Sequence, residues 1–312
     1  MSETASAVIL NPVEVTLTMI ASGTSVPAVD ASAGELAWAS ETPYTTGQQV
    51  NYTGSIWEAV AGSTGTAPGT DSTKWLRKGP SNQMAPFDDQ FDTKARATSS
   101  MTYVLTPGFF TGLALWGIEG DHLNVKIYDE PGGEIIEEYD ADLYEQALGL
   151  YELLFMPLRQ RTRHYMQNLP LYPEAEVQIT ISSSGGGPVA VGLISIGHWD
   201  TLIGTSSFGG VEYGANAEVK SYSYRKVNDD GTVTRKRRGS ATNVTCSVLI
   251  DAEQASRAMD LLHQVQGKPV AFIASGLPRY DYLNGFGDLS GDMTPESYGI
   301  SKLHLKMEGV VQ

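Results

Sequence analysis

Five aromatic rings inside one short stretch are the residues most suited to binding chemistry: Trp38, Tyr44, Tyr52, Trp57 and Trp75. Indole and phenol faces stack on flat ligands, sugar rings among them, and each ring buries about 150–250 Å² when it packs. The stretch has almost no aliphatic residues, and Gly47, Gly54, Gly62, Gly65 and Gly69 punctuate it at turn-like intervals. A segment of roughly 40 residues lies near the lower limit for folding without metals or disulfides. The rings therefore form the core of a small domain, a platform for a flat ligand, or some of each.

Other chemistry is harder to find. No Gly-x-Ser-x-Gly elbow, His-Glu-x-x-His helix or phosphate-binding lysine loop is present. His198 and Asp200 stand close in sequence, but at i and i+2 near an apolar strand end they read as packing and turn residues. The glycine-rich run 208–214 lacks the lysine and the strand–loop–helix setting of a phosphate cradle. A glycosidase would need two carboxylates about 5–10 Å apart across a cleft, and carboxylates are abundant enough to leave that open. Asp88, Asp89 and Asp92 lack the ordered spacing of a calcium loop and read as a solvated turn. Arg159, Arg161, Arg163 and His164 read as a solvated or intersubunit face. Cys246 is the one cysteine, which excludes an internal disulfide and a cysteine-rich zinc site; in its alternating run it reads as a small buried strand residue. The expectation is no catalytic residue, no cofactor and no metal.

The elements that would position these residues are mostly strands. The 312 residues are enough for two or three units, and 33 glycines with many serines and threonines favour strands and turns. The net charge of −15 argues against a nucleic-acid binder. Val13, Val15, Leu17 and Met19 alternate with polar residues, predicting a strand, and a small polar arm follows up to residue 33. From residue 98 the pattern predicts a β-sandwich, with one hairpin turning at residues 129–133 and another at 182–187. Residues 141–156 fit either a helix or a strand. Residues 221–227 and 232–238 predict a long hairpin about an Asp-Gly turn, and its arginines, Arg235 among them, suit a paired edge or subunit contact. One helix is expected near residues 252–266, capped by Asp251 and stopped by Gly267 and Pro269. The run 302–308 alternates cleanly and predicts a closing strand.

Two resemblances add to this reading. The order Ala37-Trp38, Tyr44, Gly47, Val50, Tyr52, Gly54, Trp57-Glu58-Ala59, Pro68-Gly69 and Trp75 resembles the small chitin-binding carbohydrate modules of types 5 and 12. That resemblance implies a short twisted sheet packed by aromatics, and Trp38, Tyr44, Tyr52, Trp57 and Trp75 as candidate carbohydrate-binding residues. The family carries exposed aromatics just after the place of Trp57-Glu58-Ala59, whereas this chain has Val60, Ala61, Gly62, Ser63 and Thr64 there. The juncture Trp75-Leu76-Arg77-Lys78-Gly79-Pro80-Ser81-Asn82, and the order of elements after Gly197, resemble tail and baseplate proteins of tailed bacteriophages.

The expected architecture is mainly β: a strand and arm over 1–33, and an aromatic-packed, three-stranded carbohydrate-module-like domain over 34–79. A jelly-roll-type β-sandwich over 87–200 and a C-terminal β-rich domain with one helix over 201–312 would complete it. The resemblances imply a structural virion protein of a phage tail tip or baseplate, a trimer or hexamer in contact with other tail proteins, displaying a module for a host-surface glycan. No basic leader precedes an apolar run and no segment nears 18 consecutive apolar residues, so synthesis in the host cytoplasm without membrane insertion is expected. The alternatives are a secreted chitin or peptidoglycan hydrolase with an accessory module, and a free-standing carbohydrate-binding or other assembly protein.

Overall fold

The structure is a computed structural model and describes residues 6–30, 34–88, 93–144, 151, 155, 160–202, 210–227, 232–236 and 239–310. Strands dominate the described residues. β1 (Ser6–Pro12) comes first, then a 3₁₀ turn at Leu17–Met19. The aromatic segment contributes β2 (Leu36–Ala37), β3 (Gln49–Tyr52), β4 (Ser55–Ala59) and β5 (Trp75–Pro80). Next come β6 (Ala95–Thr98), β7 (Ser100–Leu105), β8 (Gly112–Trp116) and β9 (His122–Tyr128). They are followed by β10 (Ile135–Asp142), β11 (Arg163–Met166), β12 (Glu176–Ser182) and β13 (Pro188–Val191). β14 (Leu193–Thr201), β15 (Gly210–Val211), β16 (Asn216–Ser221), β17 (Tyr224–Val227) and β18 (Val233–Lys236) lead to the long β19 (Ser240–Asp251). The helix α1 (Ala255–Val265), β20 (Val270–Ser275), β21 (Gly285–Pro295) and β22 (Ile300–Gly309) close the chain.

Contacts divide the chain into two compact units, Val13–Ile194 and the combination of Met1–Pro12 with Ser195–Gln312. The unit Val13–Ile194 holds an antiparallel sheet in the order β10-β9-β12-β7. Its inward residues alternate with polar ones: Leu123, Val125 and Ile127 on β9, and Val177, Ile179 and Ile181 on β12, are all buried. That is the signature of a sheet with one face on a core. The outer edge of β7 is met by Ala21 and Ser25, whose N–H groups donate to the carbonyls of Val104 and Thr102 at 2.8 and 2.9 Å. β13 pairs with β6 and β8 with β11, both antiparallel.

In the other unit the order is β14-β1-β20-β21-β22-β19-β15, with β16 also paired to β19. Helix α1 buries Ala258, Leu261, Leu262 and Val265, which join Val244, Cys246, Val248, Phe272, Leu303, Leu305 and Met307 in one core. Burial pushes the Cys246 thiol up to about 12, as suits a sealed strand residue.

Several expectations are corrected. The N-terminal strand is Ser6–Pro12 rather than residues 13–19, where Leu17–Met19 is a 3₁₀ turn and only Val15 of the four alternating residues is buried. Ala7, Val8, Ile9 and Leu10 are all buried because β1 lies inside a sheet between β14 and β20, and Pro12, with no N–H to offer, stands at its end. The turn at 182–187 does not close a hairpin: β12 already has β9 and β7 on its two edges, so β13 goes to β6. Asp251 opens the 3₁₀ turn Ala252–Gln254, and α1 begins only at Ala255. Residues 141 and 142 finish β10, while most of 145–159 lies outside the described residues, as do Asp89, Asp92, Arg159, residues 203–209, the 228–231 turn, Arg237 and Arg238. Among the described residues no helix is long and apolar enough to cross a membrane.

Candidate functional site: an aromatic sheet face

The aromatic segment folds as a sheet in the order β2-β3-β4-β5, four strands rather than the expected three, because Leu36–Ala37 adds in parallel to β3. Register decides the faces. Val50 lies opposite Trp57, Tyr52 opposite Ser55, and Ala59 opposite Trp75. Side chains on a strand alternate, so Val50, Tyr52, Trp57, Ala59 and Trp75 share one face. Trp38, whose N–H donates to the Asn51 carbonyl at 3.1 Å, joins them and meets Tyr52 edge-on at 5.0 Å.

All five candidate rings belong to this one cluster, but they are not equivalent. Tyr44 and Trp75 are 3 % and 2 % exposed and build the core with Val50 and Ala59. Their rings meet edge-on at 5.5 Å; the Tyr44 hydroxyl accepts from Ala39 N at 2.7 Å, and Trp75 Nε1 donates to the Thr66 carbonyl at 2.9 Å. Neither has surface left for a ligand. Trp38, Tyr52 and Trp57 are half-buried and form the accessible row. The loop after β4 closes on this face: Ser63 and Tyr44 exchange backbone hydrogen bonds, and Gly69 sits so near Trp57 that a Cβ would come within 3.2 Å of its ring. Val60 and Gly62, where the resembling family shows rings, are exposed, and neither supplies a stacking plane.

The indole N–H groups of Trp38 and Trp57 are shielded from solvent and make no hydrogen bond among the described residues. An indole nitrogen only donates, and a shielded unmet donor costs about 1–3 kcal/mol.

The module is fastened within its own unit. Leu17 and Met84 press on Gly54. Asn51 Nδ2 donates to the Ala28 carbonyl at 2.8 Å, and Asn82 Nδ2 to those of Pro27 and Arg96 at 2.9 and 3.0 Å, while Asn82 Oδ1 accepts from Arg96 N. The following turn docks on β7, where the Tyr103 hydroxyl donates to the Gln83 carbonyl at 3.0 Å and its ring meets Phe87 edge-on at 5.6 Å.

The polar clusters elsewhere have structural partners. Asp200 accepts from Arg257 at 3.3 Å on β14. Asp121 gathers hydrogen bonds from Tyr144, from Ser184 N and Oγ, and from Ser183, which lower its carboxyl to about 2 and tie three segments together. His122 was not singled out by sequence. On the β9–β10 hairpin its Nδ1 meets Asp142 at 2.9 Å and its Nε2 meets Asp140 at 2.5 Å. Both ring nitrogens are occupied, so it is poorly placed to take a substrate proton. A cavity of about 280 Å³, also unforeseen, is lined by Tyr213, Arg279, Tyr280 and Tyr282, and the Arg279 guanidinium lies 5.0 Å over the Tyr280 ring. Among the described residues no group of three or more His, Cys, Asp or Glu could hold a metal ion.

His122 yields a pH prediction. The Asp142 hydrogen bond first, then that of Asp140, raises its pKa above the ordinary 6.5. A raised folded-state value stabilises below the unfolded pKa, and that contribution is lost as pH rises through the folded value. Thermal midpoints of the wild type should therefore fall from pH 6.5 upward relative to His122→Gln. The effect should be small because the site is solvent-exposed. Parallel midpoint curves for the two proteins would contradict the assignment.

No family model, no curated protein and no solved structure matches this chain.

Proposed function

We propose that the chain is a non-enzymatic structural protein of a phage tail tip or baseplate. It assembles as a symmetric oligomer with other tail proteins and displays the aromatic module toward host-surface glycans. The observation that carries this reading is the fastening of the module. A module joined by a flexible linker would range freely, whereas this one is held by Gly54, Asn51 and Asn82 and followed at once by the turn that docks on β7. A fixed module suits display from a particle, where several weak contacts on one ring gain about 10²–10⁴ in avidity. The half-buried row Trp38, Tyr52 and Trp57 supports the glycan part, since the exposed part of such rings is what a sugar would stack on. With this proposal goes a jelly-roll-type sandwich that includes β7, β9, β10 and β12 and follows a carbohydrate-module-like domain in the chain.

A glycan array with the purified full chain tests the module. Trp57→Ala should weaken retention about tenfold or more, since a stacked ring contributes about 1–3 kcal/mol in the comparable case of a base on an aromatic side chain. Equal retention by wild type and variant, with circular dichroism unchanged, would remove the glycan role. A monomeric protein absent from virions would remove the assembly role. Release of sugar from chitin or peptidoglycan by the purified chain would establish the hydrolase instead.

A further inference from the structure

The strands β17 and β18 form a two-stranded ribbon that continues the β16–β19 ladder past Ser221 and Ser240, with Tyr222 N donating to the Gly239 carbonyl at 3.1 Å, and no third strand joins it among the described residues. Every described residue over 218–226 and 232–236 is exposed, including Val219, Tyr222, Tyr224 and Val233. A two-stranded ribbon that projects beyond its sheet gains little stability from its own pairing. This one is further burdened because Arg225 lies directly opposite Arg235, and like charges across a strand pair repel. Residues 219–238 hold Lys220, Arg225, Lys226, Arg235, Lys236, Arg237 and Arg238 against Asp229 and Asp230, a net +5 in a chain of net −15. Among the described residues Arg225, Lys226, Arg235 and Lys236 meet no carboxylate. A ribbon of this kind calls for an acidic partner with some apolar surface.

The same chain carries such a surface. Residues 129–142 contain Asp129, Glu130, Glu134, Glu137, Glu138, Asp140 and Asp142 and no basic residue. Within them β10 ends its sheet, so its outer backbone edge has no strand partner among the described residues. Ile135 is 47 % exposed there, and Glu130, Glu134 and Glu137 meet no cation among the described residues. Edge strands are pairing templates. Exposed valine and tyrosine on the ribbon suit an edge bearing Ile135 and Ile136 better than they suit a phosphate backbone.

We propose that the ribbon of β17 and β18 is a basic arm that docks on the acidic edge strand β10 of a second copy of this chain. The contact joins two different surfaces, so its repetition closes a ring when the rotation allows. It rests on the oligomeric assembly proposed above and names the contact that builds it.

Sedimentation of the full chain across a concentration series tests it. The wild type should self-associate. The double variant Arg225→Glu with Arg235→Glu should weaken self-association about 100-fold or more, as expected for close charge pairs across an interface. Glu134→Arg with Glu137→Arg should do the same, and the quadruple variant, its charges exchanged, should recover to within about tenfold. Recovery excludes misfolding as the cause. An oligomer untouched by the arm variant overturns the arm and leaves the assembly reading standing. A quadruple variant that stays monomeric with an unchanged thermal midpoint overturns the choice of β10. A monomeric wild type whose arm retains heparin or DNA overturns both readings in favour of a polyanion.

Discussion

Trp75→Ala should unfold the aromatic module. The ring is 2 % exposed, stands against Tyr44, Val50 and Ala59, and anchors the loop through Thr66. Removing a buried tryptophan costs about 3–5 kcal/mol, and a sheet of this size has few other apolar contacts to absorb the loss. The variant also strands the Thr66 carbonyl and frees the loop that covers Trp57. Limited chymotrypsin digestion should cut the variant within residues 38–80 while the wild type resists. Trp57→Ala, which removes a half-buried ring with an unpaired nitrogen, should cost less than half as much. Equal protease resistance of wild type and Trp75→Ala would mean that the core lies elsewhere.

Strand parity across the turn at Thr53-Gly54 is enough to put Tyr52 and Trp57 on one face, whereas Trp75 joins them only through a long-range register that shifts between Ile56 and Trp57. Which rings remain open to a ligand was not legible in the sequence. That depends on the loop after β4 folding back, with Ser63 meeting Tyr44 and Gly69 reaching Trp57, contacts that no periodicity encodes. The His122 cluster was hidden for a different reason. The β9–β10 register shifts between Ile135 and Glu137, so Asp142 rather than Ala141 stands opposite His122. A one-residue slip exchanges the faces of a strand, and the two carboxylates reach His122 only after it.

The same limit applies to the fold. Pairings across short turns, such as β9 with β10 and β17 with β18, follow from local turn chemistry. The turn at 182–187 carries similar residues and yet joins strands of different sheets, because the edges of β12 are taken by segments far away in sequence. β1 is the extreme case. Its partners are β14 and β20, and an apolar run buried on both faces reads from sequence no differently from a loop-flanked apolar leader. Alternation over residues 13–19 looked more strand-like because amphipathic strands announce themselves and central ones do not.

Gly287→Ala should be among the most damaging substitutions in the C-terminal unit. β21 runs between β20 and β22, with Gly287 opposite both Val270 and Gly309. A Cβ at Gly287 would lie 2.1 Å from the Glu308 carbonyl oxygen and 2.8 Å from the Gly309 Cα, both backbone atoms that no rotamer change moves aside. Gly309 is itself hemmed in, since its own Cβ would meet the Thr242 carbonyl at 2.3 Å, so the strands cannot simply slide apart. Overpacking of this kind costs about 1–3 kcal/mol and occasionally more, and a backbone obstacle on a central strand belongs at the upper end. Urea unfolding of the full chain should show a loss of about 3 kcal/mol. Gly299→Ala, near the turn joining the same two strands and with open space around it, should change stability by no more than about 0.5 kcal/mol. Similar midpoints for the two variants would mean that β21 and β22 do not approach as closely as the structure places them.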